Sequence, residues 1–208
     1  MRDVENIRDL TELHPDYIGL IFYAPSKRFV NITDTKILPD IPEDVKLTGV
    51  FVNESLENVL RKISLFKLQA VQLHGDESEE YCLSLRQQTN NIQIIKAFGV
   101  DDEFDFMNVE PYLAVTDFFL FDTNTKGHGG SGKSFNWAML EKYPFSQPYF
   151  LSGGISPENF AEVLNINDER LYAVDLNSRF ETQAGVKDIY ALKKIVKLLK
   201  PQSQQEDI

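Results

Sequence analysis

Asp122 closes an apolar run, Phe118-Phe-Leu-Phe-Asp122, and a glycine-rich stretch, Gly127-His-Gly-Gly-Ser-Gly-Lys133, follows it. A carboxylate at the carboxyl end of a buried strand, opening into a loop that can approach a ligand, is placed as a general acid would be in a (β/α) barrel. Two later segments have the same orientation: Leu151-Ser-Gly-Gly-Ile155 and Val174-Asp-Leu-Asn-Ser-Arg-Phe-Glu181. Amides exposed at Gly153 and Gly154, ahead of a helix that Ser156 would cap with Pro157 in its first turn, suit an oxyanion such as phosphate. Each feature also has a plainer reading. Asp122 could cap a turn, Gly153 and Gly154 could serve a tight strand-to-helix connection, and Gly129, Gly130 and Gly132 could belong to an ordinary surface loop.

Other strand ends carry polar groups. Asp175 ends the last apolar run, where it could bind a substrate hydroxyl or cap the loop through Asn177 and Ser178. Gln72 and His74 alternate onto one side of their strand, so His74 could bind a carboxylate, move a proton or serve a structural hydrogen bond. Arg28, in Pro25-Ser-Lys-Arg-Phe29, has the fork for a carboxylate or phosphate, although a solvated surface arginine is the default for a lone case. Cys82, mid-helix in Glu80-Tyr-Cys-Leu-Ser, reads as a packed thiol rather than a nucleophile. The three histidines lack metal-ligand spacing, so no metal is expected.

The elements that must position these groups follow a repeating pattern. Seven short apolar runs, at 17–23, 47–52, 70–73, 92–97, 118–121, 149–151 and 172–176, read as strands buried on both faces of a parallel sheet. Between them, helical periodicity is clearest at 55–66, 76–88 and 186–199, and a further helix is expected at 1–13. Such alternation means crossover connections, in either a closed (β/α)8 barrel or an open doubly wound sheet.

Bulk properties narrow the partners. The 208 residues fit one domain, over 1–200, with a polar tail at 201–208. A net charge of −11 argues against nucleic acid, which needs a basic face, but not against a small anionic substrate. A single cysteine allows no internal disulfide, and no run approaches the roughly 20 apolar residues that span a bilayer. A cytoplasmic protein with no membrane partner is expected.

Taken in order, these residues resemble phosphoribosylanthranilate isomerase, an enzyme of tryptophan biosynthesis. The resemblance runs over essentially the whole chain. It is carried by Gly19-Leu-Ile-Phe-Tyr with Ser26-Lys-Arg28, Gly49-Val-Phe-Val-Asn53, Val71-Gln-Leu-His-Gly75, Phe121-Asp-Thr with Gly129-Gly-Ser-Gly, Leu151-Ser-Gly-Gly154, and Val174-Asp-Leu-Asn-Ser178 through Glu181 and Gly185. The resemblance implies a (β/α)8 barrel that performs an Amadori rearrangement of a phosphoribosyl-anthranilate without a cofactor, as a monomer or homodimer. It implies Asp122 as the general acid, Arg28 and His74, with Gln72 beside it, at the anthranilate end, Asp175 on substrate hydroxyls, and Gly153, Gly154, Asn177 and Ser178 on the phosphate.

Two departures stand out. The family has glycine where this chain has Arg179, so Arg179 must adopt an unusual backbone geometry or contribute its guanidinium. The family also begins with a strand that ends in the cysteine acting as general base, and Met1-Arg2-Asp3 matches what directly follows that strand. The first strand and its cysteine are therefore expected to be missing from these 208 residues. Such a chain would be impaired, by about 10²–10⁴-fold for a lost base, and its sheet would have two open edges. Two alternatives remain open: a non-catalytic barrel that binds a phosphate ligand, and a related sugar-phosphate isomerase of histidine biosynthesis.

Overall fold

The computed structural model describes residues 1–31, 38–89, 91–123 and 135–199. The expectations for Gly129, Gly130, Gly132 and the tail at 201–208 fall outside these residues. Seven strands form one parallel sheet in chain order: β1 (Tyr17–Ile21), β2 (Lys46–Phe51), β3 (Ala70–Leu73), β4 (Gln93–Val100), β5 (Phe118–Thr123), β6 (Tyr149–Leu151) and β7 (Leu171–Val174). All seven apolar runs become strands. Because strand side chains alternate, each strand has an outer face toward the helices and an inner face toward its neighbours across the curl.

The two faces build two separate apolar clusters. Phe119, Phe121, Tyr149 and Leu151 point outward and join Phe106 and Tyr143 in the main core. Ala70, Ile95, Phe118, Leu120 and Phe150 point inward and form a second cluster with Tyr17 and Ala173. Tyr17 of β1 meets Phe150 of β6 edge-on, with ring centroids 5.1 Å apart, so the sheet curls until its first and sixth strands touch inside. These side chains line the amino-terminal half of the interior. The next inward positions along the same strands are Gln72 and His74, Asp122, Ser152 and Asp175.

The helices follow local capping chemistry. α1 (Val4–Thr11) starts at Asp3, whose side chain accepts from the Asn6 amide. α2 (Leu56–Phe66) starts at Ser55 and ends on left-handed Lys67. α3 (Glu79–Gln88) starts at Ser78 rather than at Asp76, because Asp76 and Glu77 are used in the turn that leaves β3. α4 (Phe160–Leu164) starts later than the sequence suggests. Ser156 does not cap it; instead Asn159 bridges the Ser156 amide at 2.8 Å and the Gly154 carbonyl at 3.0 Å, and residues 156–159 stay outside the helix. α5 (Ile189–Leu199) also starts late, because Val186–Lys187 pairs as β9 with β8 (Glu181–Gln183) in a small antiparallel hairpin. Other returns are 3₁₀ turns at Phe106–Tyr112, Trp137–Lys142 and Ser178–Phe180. No described helix is long and apolar enough to cross a membrane.

Away from the carboxyl ends, Arg170 clasps the approach to β7. Its guanidinium donates to both oxygens of Asp168 at 2.8 Å and to the Phe145 carbonyl at 3.0 Å, and lies 4.9 Å above the Tyr143 ring. Tyr149 donates to the same carboxylate at 3.0 Å. The hydrogen bonds from Arg170 hold the Asp168 carboxyl down, at about 2. Its stabilising contribution is therefore complete above the ordinary carboxylate range and disappears as the pH falls from about 4 toward about 2. Asp168→Asn should cost about 2 kcal/mol at neutral pH and flatten the acid limb of the stability curve. Urea midpoints measured from pH 2 to 7 check this; an unchanged acid limb would contradict it.

Candidate active site

The carboxyl ends of the strands, with the loops that follow them, line one end of a cavity of about 720 Å³ that also runs past Tyr17, Leu120 and Phe150 toward Leu13 and Leu199. Strands β1 and β7 both line it. Arg28, Gln72, His74, Asp122, Asp175 and the Gly153–Gly154 turn all face it, as do Asn177 and Ser178. A second, wider depression is rimmed by Asp101, Glu141, Glu162, Asp168 and Glu169. Its acidic rim would repel an anionic ligand, so it is not the place for a sugar phosphate.

Asp122 and His74 form the catalytically suggestive pair. His74 Nε2 lies 3.3 Å from Asp122 Oδ2, and both side chains are partly shielded. On the far side of the ring, Gln72 Nε2 lies 2.7 Å from His74 Nδ1. With the amide donating to Nδ1, the imidazole proton sits on Nε2 and points at the carboxylate. Asp122 Oδ1 accepts from the Thr123 amide at 2.8 Å, which fixes the carboxylate plane. Gly153 must be glycine here. Its φ is +86°, and a methyl would fall 2.7 Å from Asp122 Oδ1 and closer still to Thr123. The phosphate-like turn is thus packed against the carboxylate.

His74 is held from below by a buried ion pair that composition and motif do not reveal. Lys96 on β4 and Glu77 are 3.4 Å apart, with 3% and 2% of their side chains exposed. Lys96 Nζ donates to the Gly75 carbonyl at 2.7 Å and the Ala97 carbonyl at 3.0 Å. Glu77 accepts from the amides of Asn53 at 2.7 Å and Gly75 at 2.9 Å. Burial pushes the Lys96 ammonium below the usual lysine range, and the Glu77 carboxylate opposes that shift. The pair joins the ends of β2, β3 and β4 around the Gln72–Gly75 turn. The charged residue in an otherwise apolar run, Ile95-Lys-Ala97, was the available signal.

Asp175 extends β7, its amide bonded to the Leu151 carbonyl at 2.8 Å, and its carboxylate accepts from Ser152 Oγ at 3.1 Å. Burial pushes its carboxyl up, with Lys187 opposing and Asp122 reinforcing the shift. Arg28 is not a solvated surface arginine. It grips Glu181, with Nε 2.9 Å from both carboxylate oxygens and Nη2 2.7 Å from Oε2. Arg179 sits in the ordinary 3₁₀ turn Ser178–Phe180 and is absent from the residues with positive φ, so it needs no unusual backbone geometry. Cys82 is fully buried on α3, and burial raises its thiol to about 11, so it is no acid–base group for the cavity.

Lys96→Met should leave Glu77 buried without its partner and cost about 3–5 kcal/mol, whereas pairing it with Glu77→Gln should restore much of the loss. A chemical-denaturation double-mutant cycle checks this; strict additivity would contradict it.

Comparison with known proteins gives the family of the chain. The family model for N-(5'-phosphoribosyl)anthranilate (PRA) isomerase matches residues 1–198. An N-(5'-phosphoribosyl)anthranilate isomerase of Parabacteroides distasonis is 43% identical over 198 residues, covering 94% of this chain and 89% of that protein. The crystal structure of the Thermotoga maritima phosphoribosyl anthranilate isomerase superposes with a TM-score of 0.80 at 34% identity, covering 95% of this chain and 94% of that one. A structure of this isomerase in complex with reduced 1-(o-carboxyphenylamino)-1-deoxyribulose 5-phosphate superposes with a TM-score of 0.79 at 32% identity, covering 95% and 93%. The chain therefore belongs to the N-(5'-phosphoribosyl)anthranilate isomerase family.

Proposed function

We propose that this protein is the isomerase of tryptophan biosynthesis that converts N-(5-phosphoribosyl)anthranilate to 1-(2-carboxyphenylamino)-1-deoxyribulose 5-phosphate, an aldose-to-ketose rearrangement. The observation that carries the chemistry is the His74–Asp122 contact beside the Gly153–Gly154 turn, inside one cavity. A sugar phosphate can span that cavity from Arg28 to Asn177 and Ser178. The protein acts on this small molecule without a cofactor, in the cytoplasm, as a monomer or homodimer.

Asp122, in its carboxylic acid form, gives its proton to the furanose ring oxygen and is left as the carboxylate that His74 faces. The C–O bond breaks, its electron pair stays on that oxygen as a hydroxyl, and the anomeric carbon becomes a Schiff base with the anthranilate nitrogen. A base then removes the proton from the adjacent carbon, and the resulting enolamine tautomerises to the ketone. His74 holds the Asp122 carboxylate and, with Gln72, presents polar atoms to the anthranilate end. Arg28 pairs with the anthranilate carboxylate. Asp175 accepts from a substrate hydroxyl. The amides around Gly153, Gly154, Asn177 and Ser178 receive the phosphate.

The described strands form seven-eighths of a (β/α)8 barrel on this reading. Among the described residues none that lines the cavity supplies a thiol base, and the buried Cys82 does not replace one. The binding-only alternative has less support, because a carboxylate held against an imidazole does more than a phosphate site requires.

The test is loss of anthranilate-derivative fluorescence on turnover, measured for the protein and for Asp122→Asn. The substitution should lower kcat about 10²–10⁴-fold with little change in KM. A fully active Asp122→Asn would remove the acid from this account.

A further inference from the structure

Behind the cavity lies a chain of buried charges that links the two ends of the proposed substrate site. Glu181, on the first strand of the β8–β9 hairpin, has 4% of its side chain exposed and does not line the cavity. Its carboxylate takes the Nε and Nη2 edge of Arg28, accepts from the Gly185 amide at 3.2 Å, and lies 3.5 Å from Lys187 Nζ. Lys187, on the second strand, has 10% of its side chain exposed. Its ammonium crosses to the other end of the site, donating to the Leu176 carbonyl and to Asn177 Oδ1, each at 2.9 Å.

The backbone of Lys187 is itself anchored. Asn6 on α1 accepts from its amide at 2.6 Å and donates to its carbonyl at 3.0 Å. Two short hydrogen bonds of the Lys187 ammonium go to protein groups, and its third neighbour is the Glu181 carboxylate at 3.5 Å. Arg28 differs: its Nε and Nη2 are committed to Glu181, and among the described residues its Nη1 makes no hydrogen bond, which leaves that nitrogen for a carboxylate. Burial alone pushes the Glu181 carboxyl up, but Arg28 and Lys187 outweigh it and hold it below the usual range, so it stays charged at neutral pH.

We propose that Glu181 and Lys187 are positioning residues that hold the Arg28 guanidinium and the Leu176–Asn177 segment in one rigid frame, and so set which anionic ends a substrate must present and how far apart. This rests on the isomerase reading. A flexible arginine pays side-chain entropy each time it pairs with a ligand, whereas one already clamped by a buried carboxylate does not. The frame would therefore favour ligands that carry both the ring carboxylate and the phosphate.

The test compares two probes by calorimetry on the full chain: reduced 1-(o-carboxyphenylamino)-1-deoxyribulose 5-phosphate, and its phenylamino counterpart without the carboxylate. The wild type should prefer the first. Glu181→Gln should reduce that preference roughly tenfold or more, with the counterpart's affinity nearly unchanged, as expected for one lost charge-assisted hydrogen bond. A merely structural role would weaken both probes equally. The pair Glu181→Gln with Lys187→Met keeps the net buried charge unchanged, and it should show the same loss of preference if the single variant does not fold. A preserved preference in either folded variant overturns the proposal, as does a wild type that binds both probes equally. A wild type that binds neither overturns the isomerase reading itself, and this proposal with it.

Discussion

The contact between Tyr17 and Phe150 is the constraint on which the rest of the site depends. It fixes how far the parallel sheet curls, and the curl decides which side chains share an interior. Below, the inward positions are aromatic and aliphatic and exclude water. Two residues further along the same strands, and four for His74, they become Gln72, His74, Asp122, Ser152 and Asp175. The polar site is therefore a continuation of the inner core by the same alternation, and its floor is rigid because the rings beneath it interlock. A slip of one residue in any of these strands would turn its functional group outward among the helices.

Electrostatics complete the arrangement. The chain carries a net charge of −11, yet the groups at the two ends of the cavity are Arg28 and a segment held by Lys187. Cations are gathered where an anionic ligand would sit, and each is paired with a carboxylate behind it instead of in front. Glu181 stands behind Arg28, and Glu77 and Lys96 stabilise the turn under His74. Buried pairs of this kind contribute little net stability, and their value is in fixing geometry.

Much of this was legible in the sequence. Continuous apolar runs located all seven strands of the parallel sheet, and polar residues ending those runs were the ones that converge. What was not legible depended on distant partners. Arg28 and Glu181 are 153 positions apart, so a lone arginine gave no hint of its clamp. Val186 and Lys187 fit a helical stripe equally well, and only pairing with β8 makes them a strand. Ser156-Pro157 has the composition of a helix start, but Asn159 competes for the same backbone groups and delays the helix. Arg179 looked demanding where the family has glycine, and an ordinary 3₁₀ turn accommodates it.

The most direct test of the account is a crystal structure of the protein with the reduced product analogue bound. The account predicts the phosphate on the amides around Gly153, Gly154 and Ser178, the ring carboxylate on Arg28, and the Asp122 carboxylate within hydrogen-bond reach of the ribulose chain. A phosphate bound at the Arg28 end, or an analogue lying away from Asp122, would contradict it.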